Sequence, residues 1–284
     1  WFWALMLAKR SMLRKVHIHV AWDLCSFSLV VCKLLASTGF FLEELFTGLL
    51  WAPALHALPG FQIRRLTMAV VEVNSDESYM AVWEAAVRPS LEALSVWTQG
   101  RGCVKITDHL QALQRMLQSL ELETLHINVH GLQAGVALMK WPQSLTQLHV
   151  VGDDFWPGEA DACAARFGQQ ICSSHITSLR LESWCSLSSS GFRELLKGLA
   201  ASKLETLALS WPGGLRPDTW ESLWVFLTTA THLRTLSLRA WLDPDVQEHP
   251  AFLELRAAAE RRGIAVSWPE AEKARDVETE ILIP

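Results

Sequence analysis

The sequence predicts an α/β solenoid built from strand–helix repeats. Three observations predict it. A short apolar motif recurs at a near-constant period. Its last two apolar positions alternate with polar ones, as one buried face of a strand requires. The stretches between copies carry apolar residues at helical spacing.

The motif is apolar, two residues, apolar, one residue, apolar. It appears as Ile63/Leu66/Met68, Leu91/Leu94/Val96, Leu122/Leu125/Ile127, Leu145/Leu148/Val150, Ile176/Leu179/Leu181, Leu204/Leu207/Leu209 and Leu233/Leu236/Leu238. A weaker eighth copy puts Ile264 and Val266 in the last two positions. The middle apolar residues stand at 66, 94, 125, 148, 179, 207, 236 and 264, giving steps of 28, 31, 23, 31, 28, 29 and 28 residues. Chance apolar runs would not keep such a period over so long a stretch.

Between copies the period becomes helical. Leu187, Gly191, Leu195 and Leu199 are four apart and form one stripe, and Leu215, Thr219, Leu223 and Leu227 repeat the spacing. Leu132, Gly135 and Leu138 give a shortened version that fits the 23-residue step. Residues 107–120, 159–172 and 250–262 also read as helices.

These residues resemble the repeat of ribonuclease-inhibitor-like leucine-rich-repeat proteins. The similarity lies in the pattern L-E-T-L-x-L followed by L-x3-G-x3-L-x3-L, and it is strongest from Ile176 to Trp241. The resemblance implies a horseshoe solenoid with a concave parallel β-sheet and outer helices. The family usually places Asn or Cys three residues after the last strand leucine. Here that position holds Gln99, His130, Asp153, Trp184, Pro212 and Trp241, so the array is expected to be divergent. The Trp-Pro pairs at 141–142, 156–157, 211–212 and 268–269 are expected to do part of the missing job. The indole would fill the corner and the proline would stop the strand.

Residues 1–62 are less regular and are expected to be an N-terminal cap or degenerate repeats, with the array over 63–268 and a solvated tail over 269–284. Val16, Ile18 and Val20 alternate with histidines and suit one more strand. Leu29 to Leu35 and Phe41 to Trp51 look helical. Leu45 to Ile63 is uncharged and reads as buried helix plus turn. Trp1 to Ala8 is apolar and precedes Lys9, Arg10, Arg14 and Lys15, but eight residues do not span a bilayer, which needs about 20. Because the chain opens at Trp1, it is expected to be a fragment, a processed product or an incomplete gene model.

The chain has 284 residues, half of them apolar, and a net charge of −5 with both signs interspersed. A nucleic-acid surface is therefore not expected, and neither is a membrane partner. Six cysteines occur without any C-x-x-C pair, which suggests buried thiols in a cytoplasmic protein. No nucleophile elbow, phosphate loop or H-E-x-x-H helix is present. The chain is thus expected to be no enzyme and to carry no cofactor.

In a stacked array the residues between the strand leucines form columns about 4.8 Å apart. One column reads Thr67, Ser95, His126, His149, Arg180, Ala208, Ser237 and Ala265. The next reads Ala69, Trp97, Asn128, Val151, Glu182, Ser210, Arg239 and Ser267. Trp97, His126, His149, Arg180, Glu182, Trp211 and Arg239 are the candidate partner-binding residues, since Trp and Arg are common interface anchors. His126 and His149 should be neighbours, but no ligand obviously completes a metal site. The expected function is a non-catalytic scaffold that binds another protein. Ile106-Thr107-Asp108 with Leu110 and Leu113 also resembles a run found in F-box leucine-rich-repeat proteins, which implies a substrate-recognition subunit of a ubiquitin ligase. A sensor fragment of a larger receptor is the remaining alternative.

Overall fold

The computed structural model describes residues 15–18, 41–50, 62–71, 91–99, 114–115, 117–128, 136, 139–152, 160–184, 187–211, 217–240 and 249–268. The expectations for Leu29 to Leu35, for Leu132, Gly135 and Leu138, for the F-box-like run and for both chain ends lie outside the described residues.

Ten strands form one sheet in sequential order, β1 to β10. They are β1 Lys15–Ile18, β2 Phe41–Leu50, β3 Gln62–Val71, β4 Ala93–Gln99, β5 Thr124–Asn128, β6 Gln147–Val151, β7 Ser178–Glu182, β8 Thr206–Trp211, β9 Thr235–Ala240 and β10 Ala265–Ser267. Every neighbouring pair is parallel. Parallel neighbours need crossovers, and four described helices lie between or after strands: α1 Ala160–Cys172, α2 Ser189–Ala200, α3 Pro217–Thr229 and α4 Pro250–Arg262.

The repeat works as its periodicity demands. Leu125, Leu148, Leu179, Leu207 and Leu236 are in register, and each is at most 2% exposed. They share one core with Phe167, Phe192, Leu195, Trp220, Phe226 and Leu255 from the helices. Where each strand begins, one carbonyl accepts from two amides of the next repeat. Glu123 serves Thr146 and Gln147, Thr146 serves Thr177 and Ser178, Thr177 serves Glu205 and Thr206, and Glu205 serves Arg234 and Thr235. This ladder holds register through polar bonds while the leucines bury apolar surface.

Helix ends are closed by specific side chains. Ser188 caps α2, its hydroxyl accepting from the Gly191 amide. His249 caps α4 through Nδ1, Pro250 follows it, and Gly263 at φ 65° closes the other end. Ser174 and Ser202 are buried two residues before Ile176 and Leu204. Each donates to a carbonyl of the finished helix and accepts from the amide that starts the next apolar motif.

Two sequence expectations are corrected. Phe41 to Trp51 is not helical: residues 41–50 form β2, and the expected helix over Leu45 to Ile63 begins in β2 and ends in β3. Leu42, Leu45 and Thr47 pair with Ile63, Leu66 and Met68, so β2 is a motif copy whose third apolar position is threonine. A short apolar run suits either period, and pairing with β3 decides it. Val16 pairs in turn with Leu45, so the sheet starts before residue 63.

The second correction concerns β10. Val266, not Ile264, pairs with Leu236, and Ser267, not Ala265, pairs with Ser237. The amide of Ile264 still bonds the Ala259 carbonyl beyond Gly263, so the strand ladder resumes only at Ala265. Ser267 therefore does not continue the Arg239 column.

Candidate open-face site

Among the described residues, the leucine face of the sheet shares one core with α1 to α4. On the opposite face, alternate residues of β5 to β7 are half-buried or exposed. The register Ser95, His126, His149, Arg180, Ala208 and Ser237 crosses six strands from β4 to β9. Trp97, Asn128, Val151, Glu182, Ser210 and Arg239 form the parallel column.

Four of the seven candidate residues meet in one cluster. The rings of His126 and His149 stack with centroids 3.9 Å apart and planes 11° from parallel. His149 Nε2 lies 3.4 Å from Glu182 Oε1, which also accepts from the Arg180 guanidinium. Arg180 and Glu182 are two apart on β7, so strand alternation puts them on one face. On the far side of the stack, Ser95 Oγ lies 3.1 Å from His126 Nδ1. Close contacts thus link β4, β5, β6 and β7 in turn: a hydroxyl to a ring, ring to ring, and a ring to a carboxylate at ion-pair distance without a hydrogen bond. Ser95 stood in the predicted column without being singled out; only aligning the repeats shows it facing a histidine.

The electrostatics favour neutral rings. Burial lowers the His126 pKa below its usual 6.5, the Glu182 charge opposes this, and Arg180 adds to it. Burial first, and the adjacent His126 second, push His149 down to about 4. Two stacked imidazoles tolerate at most one charge comfortably at this separation.

The arrangement does not suit a metal ion. Imidazole lone pairs lie in the ring plane, and near-parallel stacked rings aim them side by side instead of converging. Among the described residues no group of three His, Cys, Asp or Glu side chains could hold a metal.

Arg239 lies apart from the cluster. It is exposed on β9, two strands from Glu182 in the same column. Trp97 pairs with Asn128 and Trp211 with Ala240 along the backbone, while their side chains lie outside the described residues. Trp184, three residues after the last leucine of β7, is 1% exposed, its ring centroid 5.2 Å from that of Phe167. Its indole is packed into the corner that follows β7.

No family model and no curated protein matches this chain.

The helix layer carries a groove of its own. A groove of about 660 Å³ lies between α2 and α3, lined by Leu196, Ala200, Val225 and Phe226 with Arg193, Lys197, Glu194 and Glu221. Val225 is 47% exposed there. Among the described residues no helix is long and apolar enough to cross a membrane. Cys163 is buried and Cys172 half-buried, and neither forms a disulfide; the other four cysteines lie outside the described residues.

Proposed function

We propose that the chain is a divergent leucine-rich-repeat solenoid whose open sheet face, concave in that architecture, binds another protein without catalysis. One observation carries the reading. Arg180, Glu182, Arg239, the histidine pair and small hydroxyl residues lie in unbroken register across consecutive parallel strands. Such a surface is rigid before binding, so little ordering entropy opposes association. Arginine supplies anchors, and small residues between them let a partner approach the sheet. The parallel order and the recurring steps of 23 to 31 residues support the repeat class.

The test compares partners captured by three forms of the chain, each first checked for an unchanged thermal melt. They are the wild type, an open-face variant (Trp97→Ala, Arg180→Glu, Arg239→Glu) and a helix-face variant (Lys197→Glu, Val225→Asp). A partner lost only from the open-face variant is expected. A partner lost only from the helix-face variant would move the function to the α2–α3 groove and overturn the reading.

A further inference from the structure

The stacked histidines do something that a binding face alone does not require. Their contact joins β5 to β6, and its ends are tied to β4 through Ser95 and to β7 through Glu182. We propose that His126 and His149 form a proton-operated switch on the open face, stacked and uncharged near neutral pH and driven apart when acid charges both rings. It is the regulation of the face assigned above; its role in binding rests on that reading, whereas the switch itself does not.

The geometry supplies the mechanism. Neutral imidazoles can lie in van der Waals contact without charge repulsion, whereas two imidazolium rings 3.9 Å apart repel. Among the described residues, the charged groups facing the pair are both on β7. Glu182 attracts a proton to either ring, while Arg180 opposes it. Glu182 is already engaged by Arg180, so its charge is shared and does not fully offset a second proton on the pair. Ser95 on β4, and Thr124, Asn128, Gln147 and Val151 on the histidines' own strands, do not titrate in this range. The first proton therefore enters a half-buried ring, and the second enters beside an existing positive charge.

Both rings have lowered values in the folded chain. The unfolded chain, whose histidines titrate near 6.5, therefore binds more protons than the folded one as pH falls below that value. The stacked state is fully favoured above pH 6.5 and is lost progressively as pH falls towards 4. The acid form carries up to two added positive charges in the column that holds Arg180.

The experiment follows the imidazole resonances of the full chain by NMR from pH 7.5 to 3.5. Beside the wild type, it uses His126→Phe and His149→Phe, which keep an aromatic ring in the stack. Two sub-6.5 midpoints are expected in the wild type, the lower one rising by at least half a pH unit in His126→Phe. Ordinary midpoints for both rings, or a His149 midpoint unmoved by His126→Phe, would overturn the proposal. Thermal melts give a second readout. The wild type should lose more between pH 7 and 4.5 than the double Phe variant, or than the double Gln variant should Phe fail to fold. Equal losses would sink the switch while leaving the binding reading to be decided by partner capture at pH 7.

Discussion

Gly168 on α1 and Gly198 on α2 meet backbone to backbone. A Cβ added to Gly198 would lie 2.6 Å from the Gly168 carbonyl carbon, and one added to Gly168 would lie 2.7 Å from the Leu195 carbonyl oxygen. No real side chain fits at such distances, so neighbouring helices of the outer layer are set by two missing methyl groups. In an exposed helix Gly→Ala stabilises by about 1 kcal/mol. Here Gly198→Ala is expected to destabilise by about 1–3 kcal/mol through overpacking. The urea midpoint checks the sign, and a rise would mean that the two helices do not touch at this point.

Asp161 joins the same two helices through charge. Its carboxylate accepts from the Ser188 amide at 3.0 Å, from the Ser188 hydroxyl and from the Ser190 hydroxyl at 3.2 Å. Partial burial works against the charged form, and the bonds from Ser188, Ser190 and the Gly191 amide outweigh it, holding Asp161 below the usual carboxylate range. Asp161→Ala leaves the Ser188 cap in place but removes these bonds, and should destabilise by about 1 kcal/mol at pH 7. A group lowered on folding contributes above its unfolded value near 3.9 and loses that contribution as pH falls through the folded value. The wild-type advantage over Asp161→Ala should therefore hold from pH 7 to about 5 and shrink below about 4. Denaturation at pH 7 and pH 3 measures both numbers.

Much of this architecture was legible because a repeat states the same information many times. Leu207 alone says little, but Leu207 in step with Leu179 and Leu236 specifies a strand, its inward face and its neighbours. The same stepping placed His126 beside His149. Legibility failed where one copy broke the rule. Thr47 in a leucine position hid β2, and the αL turn at Gly263 delayed β10 beyond the expected register. Contacts between helices were not readable either. Asp161 and Ser188 meet across 27 residues, a separation unlike the 31-residue step between the flanking motifs at 148 and 179. Helix starts shift relative to strands, so strand period does not predict which helix residues touch. The His149–Glu182 contact was likewise invisible, because it crosses from one column to the next through side-chain length.

Ser183 follows β7 with φ 60°, in the left-handed region that favours glycine. Its amide donates to the Ser210 carbonyl, and Trp184 must turn inward immediately afterwards, so the backbone is held there from both sides. An L-residue in this conformation costs about 1–2 kcal/mol, offset in part by the smaller entropy that serine loses on folding. Ser183→Gly should therefore raise stability by up to about 1 kcal/mol, and Ser183→Val should lower it by more than serine already does. Paired thermal melts decide it: a Val variant as stable as the Gly variant would show that the turn is not held in this conformation.

Leu207 and Arg239 test the two faces against each other. Leu207 is fully buried at the centre of the apolar ladder, between Leu179 and Leu236. Arg239 is exposed on the open face of the adjacent strand. Leu207→Asp would place a carboxylate where neither water nor a cation reaches it and should destabilise by about 4 kcal/mol or more. Arg239→Glu changes charge where solvent screens it and should alter stability by no more than about 0.5 kcal/mol. Because neighbouring repeats share the buried leucines, the loss at Leu207 should spread to β7 and β9, seen as faster amide exchange at Leu179 and Leu236. Equal melting losses in the two variants would mean that Arg239 is not solvent-facing, and the open face would have to be redrawn.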